Sequence, residues 1–283
     1  MQRYRLILPL AAAALALAAA TAATARPTHS TSASASQAIS CKSTMKLALV
    51  TPLTGGAGFL GVQQLGWAKY AVKTLPKTLG LKIQLVTGDT PVEQGPAPAQ
   101  ALAQKFVADK SVVGVIGPST SGAVAASSET YFQAGIAHIS ESATRTSLTK
   151  GATKEATPAF FRVVPGDYIQ GPSDANFMIT KLHVKKVVLF DFQEPYSLGL
   201  ADAAETVLKA KGVTTIRLSA PNTTTDYSSY VTKVPSDADI VFFPTQKPPD
   251  AQTMARQLVE QGKKAKVKNT MSASLGTFVT KDE

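Results

Sequence analysis

Three consecutive hydroxyl residues, Ser119, Thr120 and Ser121, follow a short apolar run at residues 112–116 and a Gly-Pro pair. The Ala-rich segment that begins at Gly122 has the composition of a helix. The first N–H groups of a helix have no intrahelical acceptor, and the helix dipole favours negative charge at that end. Hydroxyls placed at such a helix N-terminus can hold a carboxylate or another anion.

The same arrangement recurs after the next apolar run, residues 136–139, which opens into Ser140-Glu-Ser-Ala-Thr144. Short apolar runs that end at polar residues are typical of buried strands in a parallel sheet. Two polar strand ends side by side on one sheet predict a ligand cradle. We expect Ser121 and Thr144 to provide its hydroxyls.

A second glycine pattern raises an enzymatic alternative. Gly56, Gly58 and Gly61 match the G-x-G-x-x-G fingerprint of dinucleotide-binding enzymes, and Asp89 follows the next predicted strand, where such enzymes bind ribose. The fingerprint normally begins directly at the strand end, but residues 51–54 intervene here. We therefore favour a flexible turn that faces a ligand, and keep a nucleotide-cofactor enzyme as the alternative.

The sequence contains no convincing catalytic or metal-binding set. The run around Ser119 resembles a G-x-S-x-G nucleophile elbow, but Ser121 stands where the second glycine is required. A triad needs a histidine base. His29 precedes the predicted fold, His138 lies in an apolar run and is expected to be packed, and His183 follows a predicted helix. No Cys, His or carboxylate spacing suits a metal, so we predict a protein that is not an enzyme and needs no cofactor.

These residues are carried by a regular alternation of predicted strands and helices from residue 46 to residue 261. This βαβ rhythm indicates a parallel sheet with helices on both faces, and it restarts after Val164, which indicates two lobes. Ligands of such sheets bind beyond the carboxyl ends of the strands. Tyr196 and Gln246 follow predicted strands there, and each is either a cleft residue or an ordinary loop residue. Trp67 lies among apolar neighbours on a predicted helix and is expected in the core.

The N-terminus has the features of an export signal. Arg3 and Arg5 precede an apolar run at residues 6–20, and an A-x-A site lies at residues 23–25. We predict a signal peptide over residues 1–25 and a disordered leader over residues 26–44, which are rich in Ser, Thr and Ala. No apolar run is long enough to span a membrane. Lipid attachment at Cys41 is an alternative, disfavoured because residues 21–40 separate it from the apolar run.

The basic net charge of +10 falls to +8 once Arg3 and Arg5 leave with the signal. Its densest group comprises Lys263, Lys264, Lys266 and Lys268, just after a predicted helix, where a solvated face or a favourable helix C-terminus explains it. The basic residues are otherwise scattered, with few aromatic residues between them. Together with export, this argues against a nucleic-acid partner.

The motifs, in this order and spacing, resemble the extracytoplasmic solute-binding proteins of branched-chain amino-acid ABC transporters, the Leu/Ile/Val-binding family. The resemblance runs from about residue 45 to the last residue. The segments that carry it are residues 47–56, 115–122, 139–144, 161–165 with 170–172, 196–201 and 226–228.

This resemblance implies two Rossmann-like lobes of the periplasmic binding protein-like I type, at residues 45–164 and 165–283, which close on a ligand at a hinge. It implies that a small molecule (an amino acid, amide or aromatic acid) is delivered to an ABC permease from a periplasmic or extracellular location. A ligand sensor that feeds a receptor is the alternative. Transferred by position, the binding residues are Ser121, Ser142, Ala143 and Thr144 with Leu60 in the first lobe, and Tyr196 and Gln246 in the second.

Two departures from the family bear on the ligand and on completeness. Amino-acid binders place an acidic residue after a late strand to hold the ammonium group, but residues 269–274 around Met271 contain no carboxylate. Gln246 also replaces a common tyrosine. A buried ammonium without such a partner is costly, so the ligand class stays open. Family members normally continue further, so we expect the second lobe to be incomplete and some apolar surface to be uncovered.

Overall fold

The computed structural model describes residues 44–268, and the structural statements below concern that part of the chain. Its strands are β1 Met45–Thr51, β2 Ile83–Asp89, β3 Val112–Ile116, β4 His138–Ser140, β5 Phe160–Arg162, β6 Lys186–Asp191, β7 Thr214–Ser219, β8 Ile240–Phe242 and β9 Lys266–Lys268. Its helices are α1 Gly58–Leu79, α2 Ala97–Ala108, α3 Ser121–Gln133, α4 Asp167–Thr180, α5 Pro195–Ala210, α6 Ser228–Val231 and α7 Pro248–Glu260.

The strands form two parallel sheets, with the orders β2-β1-β3-β4-β5 and β7-β6-β8-β9. We call the first sheet with α1–α3 lobe 1, and the second sheet with α4–α7 lobe 2. Each connection between neighbouring parallel strands requires a crossover. The helices provide the crossovers except the one from β4 to β5, which is a loop with one short 3-10 turn at Thr146–Leu148. The predicted fold class, α/β with two parallel sheets, is confirmed.

Register in lobe 1 brings the polar strand ends together. Ile116 of β3 pairs with Leu49 of β1 and with Ile139 of β4. Residues 117–121 and 140–144 therefore leave the same edge of the sheet on neighbouring strands. The N–H of Gly117 donates to the Ile139 carbonyl over 2.7 Å and continues this pairing beyond the strand.

The core of lobe 1 contains the histidine that the sequence places in an apolar run. His138 is fully buried, and its ring lies 5.2 Å from the rings of both Tyr131 and Phe160. Its Nε2 is 3.0 Å from the Ser128 hydroxyl. Burial lowers the pKa of His138 to about 4, so the ring is neutral at physiological pH. The expectation that His138 is packed is confirmed.

The core of lobe 2 is aromatic around β6 and β8. The rings of Phe190, Phe192, Tyr227 and Phe243 lie 4.9–6.0 Å apart and mostly meet edge to face. Such pairs add about 0.5–1.5 kcal/mol each beyond the area that they bury. This cluster supports the carboxyl ends of β6 and β8, from which lobe 2 residues reach the candidate site.

The G-x-G-x-x-G segment serves the turn between β1 and α1. A Cβ at Gly61 would lie 1.9 Å from the Pro52 carbonyl oxygen, so the helix can approach the strand end only with glycine there. Asp89 accepts hydrogen bonds from the Leu53 N–H over 2.7 Å and the Thr54 N–H over 3.2 Å. These contacts give the glycines and Asp89 structural roles that need no dinucleotide.

Two expectations about burial are wrong. Trp67 is 73% exposed, because the face of α1 against the sheet contains Gly58, Gly61 and Ala68, and Trp67 is turned about 100° from Ala68. Lys268 belongs to β9, a strand that the sequence did not predict, rather than to a solvated face. Only 4% of it is exposed, and its Nζ pairs with Asp174 over 3.1 Å.

Some apolar side chains of lobe 1 are solvent-exposed, among them Ile139 of β4 and Phe161 of β5. No helix within residues 44–268 is long and apolar enough to cross a membrane. The predicted signal peptide, the leader up to residue 43, Cys41 and the segment around Met271 lie outside the described residues.

Candidate functional site

The N-terminus of α3 presents donors at the carboxyl edge of the lobe 1 sheet. Thr120 caps the helix, and its hydroxyl accepts the Ala123 N–H over 3.4 Å. The N–H groups of Ser121 and Gly122 precede that bond, and a helix gives such groups no intrahelical acceptor. Ser121 is 1% exposed. The helix end therefore has two N–H donors and a buried hydroxyl beside one another, which suits a carboxylate.

The loop after β4 is built around Ser140. Its hydroxyl donates to the Pro118 carbonyl over 2.7 Å and accepts the N–H groups of Ala143 over 2.9 Å and Ser142 over 3.3 Å. These bonds tie the loop to the segment before α3. The Ser140 hydroxyl thus bonds the N–H groups of Ser142 and Ala143, two of the residues that the resemblance assigned to the ligand.

Ser121 joins this loop to α3. Its Oγ accepts the Arg145 N–H over 3.2 Å, which leaves its own hydroxyl hydrogen available to a ligand. Thr144, one residue earlier, accepts the Asp167 N–H at its carbonyl over 2.8 Å. Ser121 and residues 142–144 are therefore brought into one neighbourhood, at the edge of lobe 1 where α4 begins.

Arg145 reaches across to lobe 2. Its Nη1 donates to the Pro195 carbonyl at the start of α5 over 3.0 Å, and its Nη2 pairs with Glu155 over 3.0 Å. Helices α3 and α5 also approach closely, since a Cβ at Gly122 would lie 3.4 Å from the Pro195 ring. The two helix N-termini consequently face each other across the lobes.

A second set of contacts joins the lobes beside β2. The Asn222 side-chain amide of lobe 2 donates to the Val92 carbonyl of lobe 1 over 2.9 Å. Lys247 donates to the Asn222 carbonyl over 2.6 Å and pairs with Asp250 over 2.8 Å. The Lys247 stem lies against lobe 1, where a Cβ at Gly56 would be 2.7 Å from its Cγ.

Between these two sets of contacts is a cavity of about 280 Å³. That volume lies near the lower end of the range for small-molecule sites. Its walls come from both lobes. The lining residues are Thr90, Val92, Gly95, Pro96, Thr120, Gly122 and Ala123 of lobe 1, and Glu194, Pro195, Asn222 and Gln246 of lobe 2.

Glu194 caps α5 within this wall. Its carboxylate accepts the Tyr196 N–H over 2.9 Å and the Ser197 N–H over 2.6 Å. Burial raises the pKa of Glu194 to about 7, although the two N–H groups and the charge of Arg145 oppose that shift. Glu194 therefore exchanges its proton near neutral pH.

The structure places the seven sequence-predicted site residues in four settings. Ser121, Ser142, Ala143 and Thr144 lie together at the edge of lobe 1 but are not among the residues that line the cavity, whereas Gln246 is. Leu60 is half-buried in the first turn of α1. Tyr196 is 4% exposed and packs in the lobe 2 core with Met178, Leu189 and Leu200.

Sequence reasoning missed Thr90, Glu194 and Asn222. The only signal for Glu194 was its position, since Glu-Pro before an apolar segment is compatible with a helix cap and a Pro at the first helical position. Asn222 lies in a loop of lobe 2, and its side chain bonds to Val92 of lobe 1. Thr90 lies in a loop after β2, and its N–H bonds to Thr51 at the end of β1. No local sequence pattern reveals either contact.

The described residues contain no group of three or more His, Cys, Asp or Glu side chains that could hold a metal ion. This region is instead a cavity between two lobes, lined in part by hydrogen-bonding groups. The N-terminus of α3 contributes residues to this cavity, and so does Glu194, whose carboxylate caps α5.

Comparisons with known proteins agree with this architecture. A family profile described as "Periplasmic binding protein" matches residues 44–280. A Leu/Ile/Val-binding protein of Rhizobium johnstonii is 30% identical over 217 residues, which are 75% of this chain and 57% of that protein. The chain thus spans little more than half the length of this curated relative.

Solved structures show the same fold. A branched-chain amino acid transporter substrate-binding protein of Streptococcus pneumoniae, in complex with isoleucine, superposes with a TM-score of 0.69 at 26% identity, covering 80% of this chain and 64% of that one. A solute-binding protein of an ABC transporter from R. palustris, in complex with 4-hydroxybenzoate, gives a TM-score of 0.69 at 19% identity, with 81% and 62% coverage.

The profile match covers most of the chain, and the paired parallel sheets are those of the matched structures. This confirms the prediction of a binding protein rather than an enzyme. The chain belongs to the periplasmic binding protein family.

Proposed function

We propose that this chain is the solute-binding component of an ABC transporter, exported from the cytoplasm, that captures a small carboxylate-bearing molecule between its lobes and delivers it to a membrane permease. The observation that carries the proposal is the N-terminus of α3, whose residues Thr120, Gly122 and Ala123 line the wall of an interlobe cavity, with the buried Ser121 between Thr120 and Gly122 in sequence. Residues 142–144 lie beside that helix end.

The ligands bound in the two superposed structures support this class of ligand. Isoleucine and 4-hydroxybenzoate differ in their side groups, but each carries one carboxylate. A helix N-terminus with a neighbouring hydroxyl recognises the feature that these molecules share. Branched-chain amino acids and aromatic acids are therefore the first candidates.

The donors present can provide affinity in the range expected for uptake. A hydrogen bond to a charged group contributes about 1.5–3 kcal/mol, and micromolar binding corresponds to about −8 kcal/mol. Three such bonds, from Ser121 and the first N–H groups of α3, together with apolar contact at Val92, Pro96 and Pro195, reach that order after association costs.

Calorimetric titration of the purified chain tests the proposal. L-isoleucine, 3-methylpentanoate and 4-hydroxybenzoate are the probes, and NAD⁺ tests the nucleotide alternative. We expect at least one carboxylate to bind with a micromolar Kd. Ser121→Ala should weaken that binding by about 1–3 kcal/mol, because it removes a donor to a charged group.

Ser173→Ala is the matched control, since Ser173 is exposed on α4 and, within residues 44–268, its hydroxyl bonds to the Ile169 carbonyl of its own helix. It should leave the affinity unchanged. Absence of binding by every carboxylate, or equal affinity in the Ser121→Ala variant and the parent, would refute the proposed site. Binding of NAD⁺ alone would favour the enzymatic alternative.

A further inference from the structure

The turn between β1 and α1 contains a notch that a side chain of lobe 2 fills. A Cβ at Gly56 would lie 2.7 Å from Cγ and 2.8 Å from Cδ of Lys247, closer than non-bonded carbon atoms approach. Gly55 has a φ of 76°, whereas Gly56 is not in the left-handed region. The missing side chain of Gly56 therefore serves the close approach of lobe 2 and not the backbone conformation.

Lys247 is held in this position by contacts within lobe 2. It is 4% exposed, and its N–H donates to the Thr245 hydroxyl over 3.0 Å at the start of α7. Its ammonium group donates to the Asn222 carbonyl over 2.6 Å and pairs with Asp250 over 2.8 Å. An ammonium group has three N–H donors, so these two acceptors leave one donor for a third partner.

Glu93 of lobe 1 offers an acceptor at the same glycine. Its Oε1 accepts the Gly56 N–H over 2.8 Å, and a Cβ at Gly56 would lie 2.9 Å from that oxygen. The Lys247 stem approaches the same point, so the stem and the carboxylate are neighbours across the lobes. The Oε2 of Glu93 is buried and has no hydrogen-bond partner among residues 44–268. A buried acceptor without a partner is costly, and the third donor of Lys247 is its complement.

These two residues lie beside the interlobe cavity but do not line it. Val92 and Gln246, which precede Glu93 and Lys247 in sequence, are lining residues. The Asn222 side-chain amide also donates to the Val92 carbonyl over 2.9 Å. The lysine and the glutamate are therefore placed where the lobes meet, next to the space that the proposed ligand occupies.

We propose that Lys247 is a latch between the lobes, whose stem occupies the Gly56 notch and whose ammonium group pairs with Glu93 when the lobes close on a ligand. The inference rests on the proposed function and deepens it, because it assigns a positioning residue that retains the ligand without touching it. The latch stabilises the enclosed arrangement, so it slows ligand release more than it accelerates capture.

Gly56→Ala tests the notch. The reference is the parent chain with whichever of L-isoleucine, 3-methylpentanoate and 4-hydroxybenzoate it binds most tightly. The added methyl group meets the Lys247 stem, so calorimetry should show about 5- to 100-fold weaker binding, the range for overpacking a contact. Small-angle X-ray scattering should show a larger radius of gyration for the ligand-free chain. Gly66→Ala on α1 is the matched control and should change neither quantity, because a Cβ there meets nothing within 4 Å in the described chain.

Lys247→Ala in the Gly56→Ala background separates a wedge between the lobes from a local effect on the turn. Truncating the stem makes room for the methyl group, so the double variant should bind with the affinity of Lys247→Ala alone. A further loss in the double variant would show that the methyl group acts through Glu93 or the turn, and would overturn the latch.

Glu93→Gln and Lys247→Met test the ion pair. The first keeps an oxygen for the Gly56 N–H and the second keeps most of the stem, so each removes a charge with little change of shape. Each should raise the dissociation rate of the same carboxylate about 3- to 30-fold, and the double variant should raise it no further, as expected of residues in contact. Glu129→Gln, exposed on α3, is the matched control and should leave the rate unchanged.

Multiplicative effects of Glu93→Gln and Lys247→Met would overturn the ion pair. If the Lys247 variants do not fold, because Asp250 loses its cation, an unchanged dissociation rate in Glu93→Gln does so alone. Unchanged affinity and radius in Gly56→Ala would overturn the latch, while the carboxylate site at α3 would still stand. If no carboxylate binds the parent chain, the proposed function itself fails, and the radius of Gly56→Ala still tests the notch.

Discussion

Buried acidic side chains in this protein differ in whether the protein supplies a counter-charge. Asp191 is 1% exposed, pairs with Arg217 over 2.6 Å and accepts the Ser219 hydroxyl over 2.7 Å. Asp167 is equally buried but belongs to no ion pair within residues 44–268. Removing a buried, paired charge is strongly destabilising, whereas neutralising an unpaired one relieves its desolvation cost.

Asp167→Asn is predicted to stabilise the fold at pH 7.5 by about 1–3 kcal/mol. Burial raises the pKa of Asp167 to about 6, against the opposing effects of the Thr144 hydroxyl, Arg162 and Arg145. The unfolding free energy therefore falls as the pH rises from about 4 to 6. The lost stability is not regained above pH 6. Denaturant unfolding at several pH values measures the difference in unfolding free energy between Asp167→Asn and the parent. This difference should vanish below pH 4.

Asp191→Asn is the control at equal burial, and it should destabilise at pH 7.5 because it leaves Arg217 without its nearest partner. A stabilisation by Asp167→Asn that does not change with pH would contradict the assigned cause, as would destabilisation at pH 7.5.

Elements whose signals are local were predictable from the sequence. Strand β3 has the predicted limits, because five consecutive apolar or Gly residues end at a Gly-Pro pair. Helix α5 begins four residues earlier than the predicted Gly199, since Glu194 caps it and Pro195 fits its first position. That shift moves Tyr196 from a loop into the first turn of a helix, where its ring enters the core.

Elements fixed by tertiary contacts were not predictable. The short segment Lys266–Lys268 carries two charged residues in three, and it becomes β9 because it pairs with β8 and because Lys268 meets Asp174 on α4. The cavity residue Thr90 has no pattern of its own either. Its significance depends on a lobe 2 wall that is more than a hundred residues away in sequence.

The loop between β4 and β5 depends on a single hydroxyl at the end of β4. Ser140→Ala is predicted to cost about 1–3 kcal/mol of unfolding free energy, because the Pro118 carbonyl and the buried Ala143 N–H lose their partner. Since the same loop positions residues 142–144 beside α3, carboxylate affinity should fall as well. Chemical denaturation and calorimetry measure the two effects.

Ser127→Ala separates this effect from the loss of a generic buried hydroxyl. Ser127 is also fully buried, but its hydroxyl donates to a carbonyl of its own helix, Ala123, over 2.7 Å, and that carbonyl keeps its helical bond. Stability should change less there, and affinity should not change. Equal effects of both variants on affinity would exclude a positioning role for Ser140.

At the scale of the whole molecule, the two lobes meet through few but directional contacts. Arg145 binds the Pro195 carbonyl on one side of the cavity, and Asn222 binds the Val92 carbonyl on the other. Both bonds require the lobes to be close, so they stabilise the arrangement that encloses the cavity. A ligand that contacts both walls stabilises the same arrangement through its differential affinity for it.

Asn222→Ala is predicted to lower the population of the enclosed arrangement in the absence of ligand. The apparent affinity decreases in proportion to that population, and one hydrogen bond of about 0.5–1.5 kcal/mol corresponds to a two- to ten-fold weaker Kd.

Because Asn222 also lines the cavity, affinity alone cannot separate closure from direct contact. Small-angle X-ray scattering of the ligand-free chain provides that separation, since a loss of closure increases the radius of gyration whereas a loss of contact does not. Asn176→Ala, an exposed asparagine on α4, should change neither quantity. An unchanged radius with weakened binding would assign Asn222 to the ligand rather than to the lobes.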